Sequence, residues 1–361
     1  MAVRRARKRT RPVTVGPVQI GGDAPPVVQA MTKTDTRDVA ATLAQIDALA
    51  EAGSKLVRVA VPDERAAAAL AEIAASSPLP VVADIHFNYR LALQALQAGV
   101  AKLRLNPGNI GDPQRVRAVV QEAVARSVPI RVGVNAGSLD PVWRKKYGGV
   151  TAAALVASAL SQVRILEKEG CCQIVISIKA SDVPLTVQAY RMLAEKTDYP
   201  LHIGITEAGT ELRGAVFSAV GLGVLLAEGI GDTLRVSLTA DPVSEVRVAY
   251  DILAATGWGH FGPRVVSCPT CGRCTLDMRT VALEVERRLQ GLAEPLVVAV
   301  MGCVVNGPGE ARAADVGLAG GKDAALIFRS GEIIRRVPPH EMVDALLAEI
   351  EALVAARRKE Q

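Results

Sequence analysis

The 361-residue sequence predicts an α/β fold, a (β/α)8 TIM barrel followed by a small α+β domain. Three observations carry that expectation. Short apolar runs alternate with longer Ala- and Leu-rich amphipathic stretches, the pattern of parallel strands joined by helical crossovers. The alternation repeats eight times between residues 22 and 256, the number and length of a closed barrel. It ends at TGWGHFGPR (256–264), after which the composition changes.

In chain order, residues 1–21 read as a basic tail and barrel lead-in. Arg4, Arg5, Arg7, Lys8, Arg9 and Arg11 account for more than the whole net charge of +5, leaving the remainder at −1. The excess is therefore expected to be a solvated tail, not a nucleic-acid-binding face. The barrel, 22–256, opens with strand 27–31 and helix 37–52, then strand 55–61 and helix 64–77. Strand 80–84 precedes helix 90–98, strand 101–105 precedes helix 112–127, and strand 130–134 precedes helix 151–169. The last three pairs are 173–178 with 183–195, 201–205 with 210–228, and 233–238 with 242–256. An open doubly wound sheet would usually carry a glycine-rich dinucleotide turn after its first strand, and the sequence has none there.

Residues 257–267 read as a linker, with no further βα alternation beyond it. The second domain, 268–361, is expected to hold a helix near 275–290, a strand at 296–300, a hairpin AALIFRSGEIIRRV turning at Ser330-Gly331, and a closing helix from about 340. The longest uncharged stretch, Tyr147–Val163, is too short and too polar for a bilayer span, and no secretion signal opens the chain. Six cysteines, bunched rather than spread, favour metal or redox chemistry in a reducing cytoplasm over a disulfide framework.

A barrel puts its chemistry at the carboxyl ends of its strands. Seven of the eight predicted ends carry polar candidates: Arg58; Asp84 and His86; Arg104 and Asn106; Arg131 and Asn135; Ser177 and Lys179; Thr206 and Glu207; Arg235 and Ser237. On most strands the paired residues stand an even number apart, so both point the same way. Arg58, Arg104, Arg131, Lys179 and Arg235 would bring five cations to one mouth against Asp84 and Glu207. Such an excess calls for an anion, and guanidinium forks suit phosphate oxygens, so a compact phosphorylated or diphosphorylated metabolite is the expected ligand. Asp84, His86 and Glu207 are candidates for proton transfer or for holding substrate hydroxyls.

The second domain opens on SCPTCGRC, with Cys268, Cys271 and Cys274 at two successive C-x-x-C spacings, and later offers Cys303 in MGCVVNGPGEAR, followed by Asn306 and Glu310. The glycines around Pro308 would let backbone amides approach a bulky inorganic core. Spacing alone leaves zinc and an iron–sulfur cluster both open. Cys171 and Cys172 read as small packing residues.

Taken together, SCPTCGR and GCVVNGPGE behind a barrel carrying ADIHFN, RLNPGN, RVGVNAGSL, SIKASD, ITEAG and GDTLRVSLT resemble the 4-hydroxy-3-methylbut-2-enyl diphosphate synthases of the bacterial two-domain type. The resemblance covers essentially the whole chain after the tail. It implies a [4Fe-4S] cluster held by Cys268, Cys271, Cys303 and Glu310. Cys274 stands where that family uses no ligand. A weakly held carboxylate yields a coordination position more readily than a thiolate does, which favours Glu310 over Cys274 as the fourth donor.

The resemblance further implies reductive ring opening of 2-C-methyl-D-erythritol 2,4-cyclodiphosphate in non-mevalonate isoprenoid biosynthesis. Two electrons would come from ferredoxin or flavodoxin. Arg58, Arg104, Asn106, Arg131, Asn135, Lys179, Arg235, Ser237 and Asn306 would bind substrate. Glu207 would be the principal acid/base group, with Asp84, His86 and Glu310 completing the catalytic set. The competing expectation is a zinc-stabilised, phosphate-binding barrel enzyme of pteroate-synthase-like type, with the C-terminal domain as scaffold or partner module. A further expectation concerns assembly. Helices of such a barrel run antiparallel to their strands, so the chain leaves the last helix at the face away from the site. A connector from Gly257 to Ser267 reaches at most about 36–40 Å. A head-to-tail homodimer, each cluster domain serving the partner's barrel, meets that constraint, and the family resemblance implies the same arrangement.

Overall fold

In the computed structural model of the protein, the described residues are 6–259, 261–271, 274, 276–303, 312–321 and 323–360. The chain divides into two compact units, 1–259 and 260–361.

The first unit begins with a hairpin of two short strands, β1 (Val13–Val15) and β2 (Val18–Ile20). The barrel strands follow: β3 (Val27–Met31), β4 (Leu56–Ala60), β5 (Val81–Asp84), β6 (Lys102–Leu105), β7 (Ile130–Asn135), β8 (Ile174–Lys179), β9 (His202–Ile203) and β10 (Thr233–Leu234). They pair in parallel in the order β8-β7-β6-β5-β4-β3-β10-β9, and a bridge between Ile176 and Leu201 joins the two ends. The predicted barrel is present, with helices where the 3.6-residue periodicity placed them: α1 (Val39–Glu51), α2 (Glu64–Ser76) and α3 (Tyr89–Gln97) after the first three strands. The periodicity did not announce α4 (Pro107–Ile110), a single turn ahead of α5 (Pro113–Ala125), or α6 (Pro141–Lys146) ahead of α7 (Ala152–Lys168). The ring is completed by α8 (Val183–Lys196), α9 (Glu211–Ala227) and α10 (Pro242–Ala255). Asp38, Asp63, Asn88, Asp112, Thr151, Asp182 and Asp241 each accept a first-turn N–H and fix where their helices start.

Strands β9 and β10 are shorter than the predicted 201–205 and 233–238. Backbone groups there find other partners: Leu238 N–H donates to the Glu245 carboxylate at 2.8 Å, and Thr206 N–H to Ala180 O at 3.2 Å. The first hairpin is also an addition, three-residue strands being too short to announce themselves. Val13, Val15 and Ile20 are fully buried against Val27, Leu56 and Val175, residues at or beside the first positions of β3, β4 and β8. The hairpin thus closes the amino-terminal end of the barrel.

The tail expectation needs correction. Arg7 pairs with buried Asp232 at 2.7 Å and stacks over Trp258, Lys8 N–H donates to Gly229 O at 3.0 Å, and Arg11 pairs with Asp198 at 2.8 Å. These partners lie some 190 to 225 positions away, so local composition could not reveal them. Arg9 is exposed; Arg4 and Arg5 lie outside the described residues.

The second unit is a five-stranded mixed sheet, β11 (Arg264–Ser267), β12 (Val297–Met301), β13 (Val316–Ala319), β14 (Ala325–Arg329) and β15 (Glu332–Val337), in sequential order. A helix, α11 (Met278–Arg288), and the C-terminal helix Met342–Glu360 pack on it around Val285, Val298, Leu318, Ile327 and Leu346. The expectation of no further βα alternation is overturned: β11, α11 and the parallel strand β12 form one more crossover. β11 falls within the expected linker, 257–267. The hairpin turns at Ser330-Gly331 as predicted, both in the left-handed region at φ 49° and 85°. Among the described residues no helix is long and apolar enough to cross a membrane.

Candidate active site

The carboxyl ends of the barrel strands gather a ring of buried charge. Arg58, Asp84, Arg104, Arg131 and Lys179 are each 9% exposed or less. Period-2 alternation points them inward, and the parallel register sets Asp84 beside Arg104, Arg104 beside Arg131, and Asn135 beside Lys179. Asp84 sits among three partners: Arg104 at 3.2 Å, His86 at 3.5 Å and Arg58 at 3.8 Å. Burial pushes its carboxyl upward, but Arg58, the His86 hydrogen bond and Arg104 outweigh that and hold it below the usual carboxylate range. Burial pulls Arg58 down to about 10 despite Asp84. Lys179 and Arg131 are driven well below their ordinary values by burial first and by neighbouring guanidiniums second. Arg131 keeps Nε and one terminal nitrogen buried without a partner among the described residues.

Two glycines make room for this ring. A Cβ at Gly133 would stand 2.7 Å from Arg104 Nε, and one at Gly204 would stand 2.9 Å from Lys179 Nζ. Both lie in strand-like runs, RVGVN and HIGIT, where a glycine usually marks close approach. That signal was available in the sequence.

The other predicted residues fall as follows. Arg235 is half-buried and pairs with Glu245 at 3.3 Å; Glu245, buried in α10, also takes Lys33 at 2.9 Å. Glu245 thus brings the ring a carboxylate that the sequence reading did not include, because a helix residue is invisible to a search of strand ends. Glu207 is exposed, in the loop beyond β9, with φ at 53°. A non-glycine residue held there is strained, a condition common at functional positions. His86 is half exposed beside Arg104. Asn106 uses its side-chain oxygen to cap α4, accepting from Gly108 N–H at 3.1 Å. Ser177 donates to Val132 O at 3.2 Å, while Asn135, Thr206 and Ser237 are half-buried at their strand ends. Deeper in the barrel, Gln29, Lys102, His202 and Thr233 form a polar layer that the sequence reading missed.

In the second unit, Cys268 directly follows β11 and Cys303 lies two residues beyond β12, its parallel neighbour; Cys268 N–H donates to Val300 O at 3.0 Å. Cys271 lies in the segment that leaves β11, just after Thr270 at φ 56°. A Cβ on Gly302 would meet Cys274 Sγ at 2.6 Å and Cys268 Sγ at 3.1 Å, so this glycine lets the strand end run under the thiols. Cys274 donates its S–H to Leu276 O at 3.1 Å and packs with the apolar core. Thiols at adjacent strand ends are a donor set of the kind an iron–sulfur cluster uses. Among the described residues, however, no three metal-binding side chains are drawn to one point. Asn306 and Glu310 lie outside the described residues. Cys171 is buried, which pushes its thiol up to about 11, and Cys172 is exposed.

Residues 10–250 match the family model described as the GcpE TIM-barrel domain, and 264–352 the GcpE protein C-terminal domain. A protein of Geobacter sulfurreducens named 4-hydroxy-3-methylbut-2-en-1-yl diphosphate synthase (flavodoxin) is 61% identical, over 97% of this chain and 99% of its own. One of the same name from Maridesulfovibrio salexigens is 57% identical over 98% and 99%. Among solved structures, a Xanthomonas albilineans dihydropteroate synthase covers 69% of the chain and 98% of its own at a TM-score of 0.50 and 15% identity, a likeness of fold alone.

Proposed function

The chain belongs to the GcpE family of 4-hydroxy-3-methylbut-2-en-1-yl diphosphate synthases, and from that premise we propose that its barrel binds 2-C-methyl-D-erythritol 2,4-cyclodiphosphate on the buried cationic ring. The protein is an iron–sulfur oxidoreductase of non-mevalonate isoprenoid biosynthesis. The observation that carries the substrate assignment is charge. Among the described residues, the cations Arg58, Arg104, Arg131, Lys179 and Arg235 are met by two buried carboxylates, Asp84 and Glu245. A diphosphate is the compact dianion that would offset the excess.

Asp84 holds the guanidinium of Arg104, and less closely that of Arg58, in fixed orientation, so the ring is arranged before the anion arrives. Ring opening frees a phosphate oxygen, whose developing charge Arg131 and Lys179 would stabilise. Loss of the hydroxyl as water needs a proton, and Glu207, exposed in the loop beyond β9, is the proposed donor, with His86 and Asp84 assisting. Asn106, Asn135 and Ser237 would orient the remaining oxygens, with Asn306 approaching from the second unit of a partner. Cys268, Cys271, Cys303 and Glu310 are the residues proposed to hold a [4Fe-4S] cluster. When bound, that cluster supplies electrons one at a time. Flavodoxin is the proposed donor, since the relatives' names carry it, and a reducing cytoplasm is the compartment that suits exposed thiols. Iron and sulfide analysis of anaerobically purified protein tests the reading; colourless material carrying stoichiometric zinc would overturn it.

Arg131→Ala and Lys179→Ala are expected to raise KM at least tenfold with a smaller change in kcat, whereas Glu207→Gln lowers kcat by about 10² to 10⁴ at similar KM. Steady-state kinetics with a chemical reductant separates the two. Unchanged KM in both cation variants would place the phosphate site elsewhere.

The active site is further proposed to be shared between two chains. α10 delivers the chain to the barrel's amino-terminal face, away from the strand ends that carry the charged ring. An exposed apolar stripe on α9, with Leu212 80%, Val216 52% and Val220 55% exposed, suits twofold pairing. Mixing a barrel-dead variant (Glu207→Gln with Lys179→Ala) and a cluster-dead variant (Cys303→Ala) under subunit exchange should restore activity. Exchange without recovery would rule out sharing.

A further inference from the structure

Beneath the ring lies a layer of buried polar groups that the proposed reaction does not use. Lys102 is fully buried two residues before Arg104 on β6, and its one hydrogen bond among the described residues goes to the neutral Gln29 Oε1 at 3.2 Å. His202, also fully buried, contacts Thr233 Oγ1 at 3.4 Å through Nδ1. Gln29 Nε2, His202 Nε2 and two nitrogens of Arg131 have no partner among the described residues. Among the described residues no carboxylate is bonded to this layer: Asp84 is committed to Arg58, Arg104 and His86, Glu245 to Arg235, Lys33 and the Leu238 N–H, and buried Asp232, next to Thr233, to Arg7, Thr10 and the Leu201 N–H.

The charged and titratable groups around Lys102 are accordingly almost all cationic or neutral. Across the barrel they are Arg58 on β4, Arg104 on its own strand, Arg131 on β7, Lys179 on β8 and His202 on β9, with Asp84 on β5 the one carboxylate on a described barrel strand. Burial, then Arg131 and Arg58, drives the Lys102 amine well below the ordinary lysine range, and His202 is pushed the same way by burial and the same cations.

Resting on the substrate reading above, we propose that Lys102 couples diphosphate binding to proton uptake, the amine being neutral in the free enzyme and an ammonium once the anion occupies the ring above it. The balance is one proton drawn from solvent per site. The ligand does not supply it, because the acidic hydroxyls of a cyclic diphosphate are already ionised at neutral pH. The dianion reverses the local field, and the added ammonium then contributes to holding it. Lys102 is thus a charge-adapting residue, distinct from the ring that touches phosphate.

The test is calorimetric titration of the oxidised holoenzyme with 2-C-methyl-D-erythritol 2,4-cyclodiphosphate, without reductant so that no turnover occurs, in HEPES and in Tris at pH 8. The difference in heat between the buffers counts protons. Wild type is expected to take up close to one per site, and its affinity to fall about tenfold per pH unit as pH rises. Lys102→Met, which replaces a neutral amine by an apolar chain of similar length, should bind with no uptake and with affinity flat in pH; Lys102→Gln should do the same and guards against misfolding of the first variant. Uptake persisting in both variants would assign the proton to Lys179 or His202 and overturn the proposal, as would binding by wild type without uptake. Failure of wild type to bind at all would instead overturn the substrate reading on which it rests.

Discussion

Cys303→Ala protein, purified without oxygen, is expected to emerge colourless and free of iron and sulfide, while Cys274→Ser keeps both. The two thiols differ in what the chain does with them. Cys303 stands at the end of β12 beside the end of β11, where Cys268 begins its turn, so removing it deletes one of the few anchors available to a bulky group. Cys274 already donates to Leu276 O and packs against the core, and serine preserves that hydrogen bond. Its Sγ lies closer than that of Cys268 to where a Gly302 Cβ would stand, 2.6 Å against 3.1 Å, so proximity alone would not exclude it. Loss of iron from Cys274→Ser would move Cys274 into the ligand set and displace Glu310.

Asp84→Asn is expected to be the most destabilising single change in the barrel. The carboxylate is 5% exposed and faces Arg58, Arg104 and His86; its loss leaves buried cations uncompensated, a cost of about 3–5 kcal/mol. The same argument predicts rescue. Cyclic diphosphate at a hundredfold excess over its Kd stabilises by about 2.7 kcal/mol, so the variant should regain much of its lost stability with ligand present. The pH sense follows from linkage. Asp84 is depressed in the folded state, so its contribution is complete above the unfolded carboxyl value near 4 and fades only as pH falls through the lower native one. Denaturant unfolding should therefore separate wild type from variant at pH 7 and bring them together in strong acid. Equal stability at pH 7 would mean that the guanidiniums are neutralised by some other group.

The barrel could be read from the sequence because each of its strands is a short apolar run with polar residues at one end, and each helix repeats its own period. Arg58, Asp84, Arg104, Arg131 and Lys179 could be read for the same reason, being strand-end residues spaced in twos. What escaped was set by distance along the chain or by position within an element. Glu245 lies on a helix, Lys102 and His202 lie early in their strands, and the partners of Arg7 and Arg11 come some 190 to 225 residues later. β11 and β13 are four-residue strands whose pairing, not their composition, makes them strands. Gly133 and Gly204 were legible as glycines inside strands, and their meaning appears only once Arg104 and Lys179 are seen to cross them.

The hairpin and the segment before it also bear on how the molecule comes to be folded. Some of their partners are made much later: Val13, Val15 and Ile20 wait for Val175, and Arg7 waits for Asp232 and Trp258. Contacts of such long sequence separation slow the search for the native state, because loop closure must precede their reward. The segment therefore acts as a clasp that can fasten only after the hoop of strands is nearly complete. Until then the apolar starts of β3, β4 and β8, which Val13, Val15 and Ile20 cover in the folded protein, stand open to misassociation.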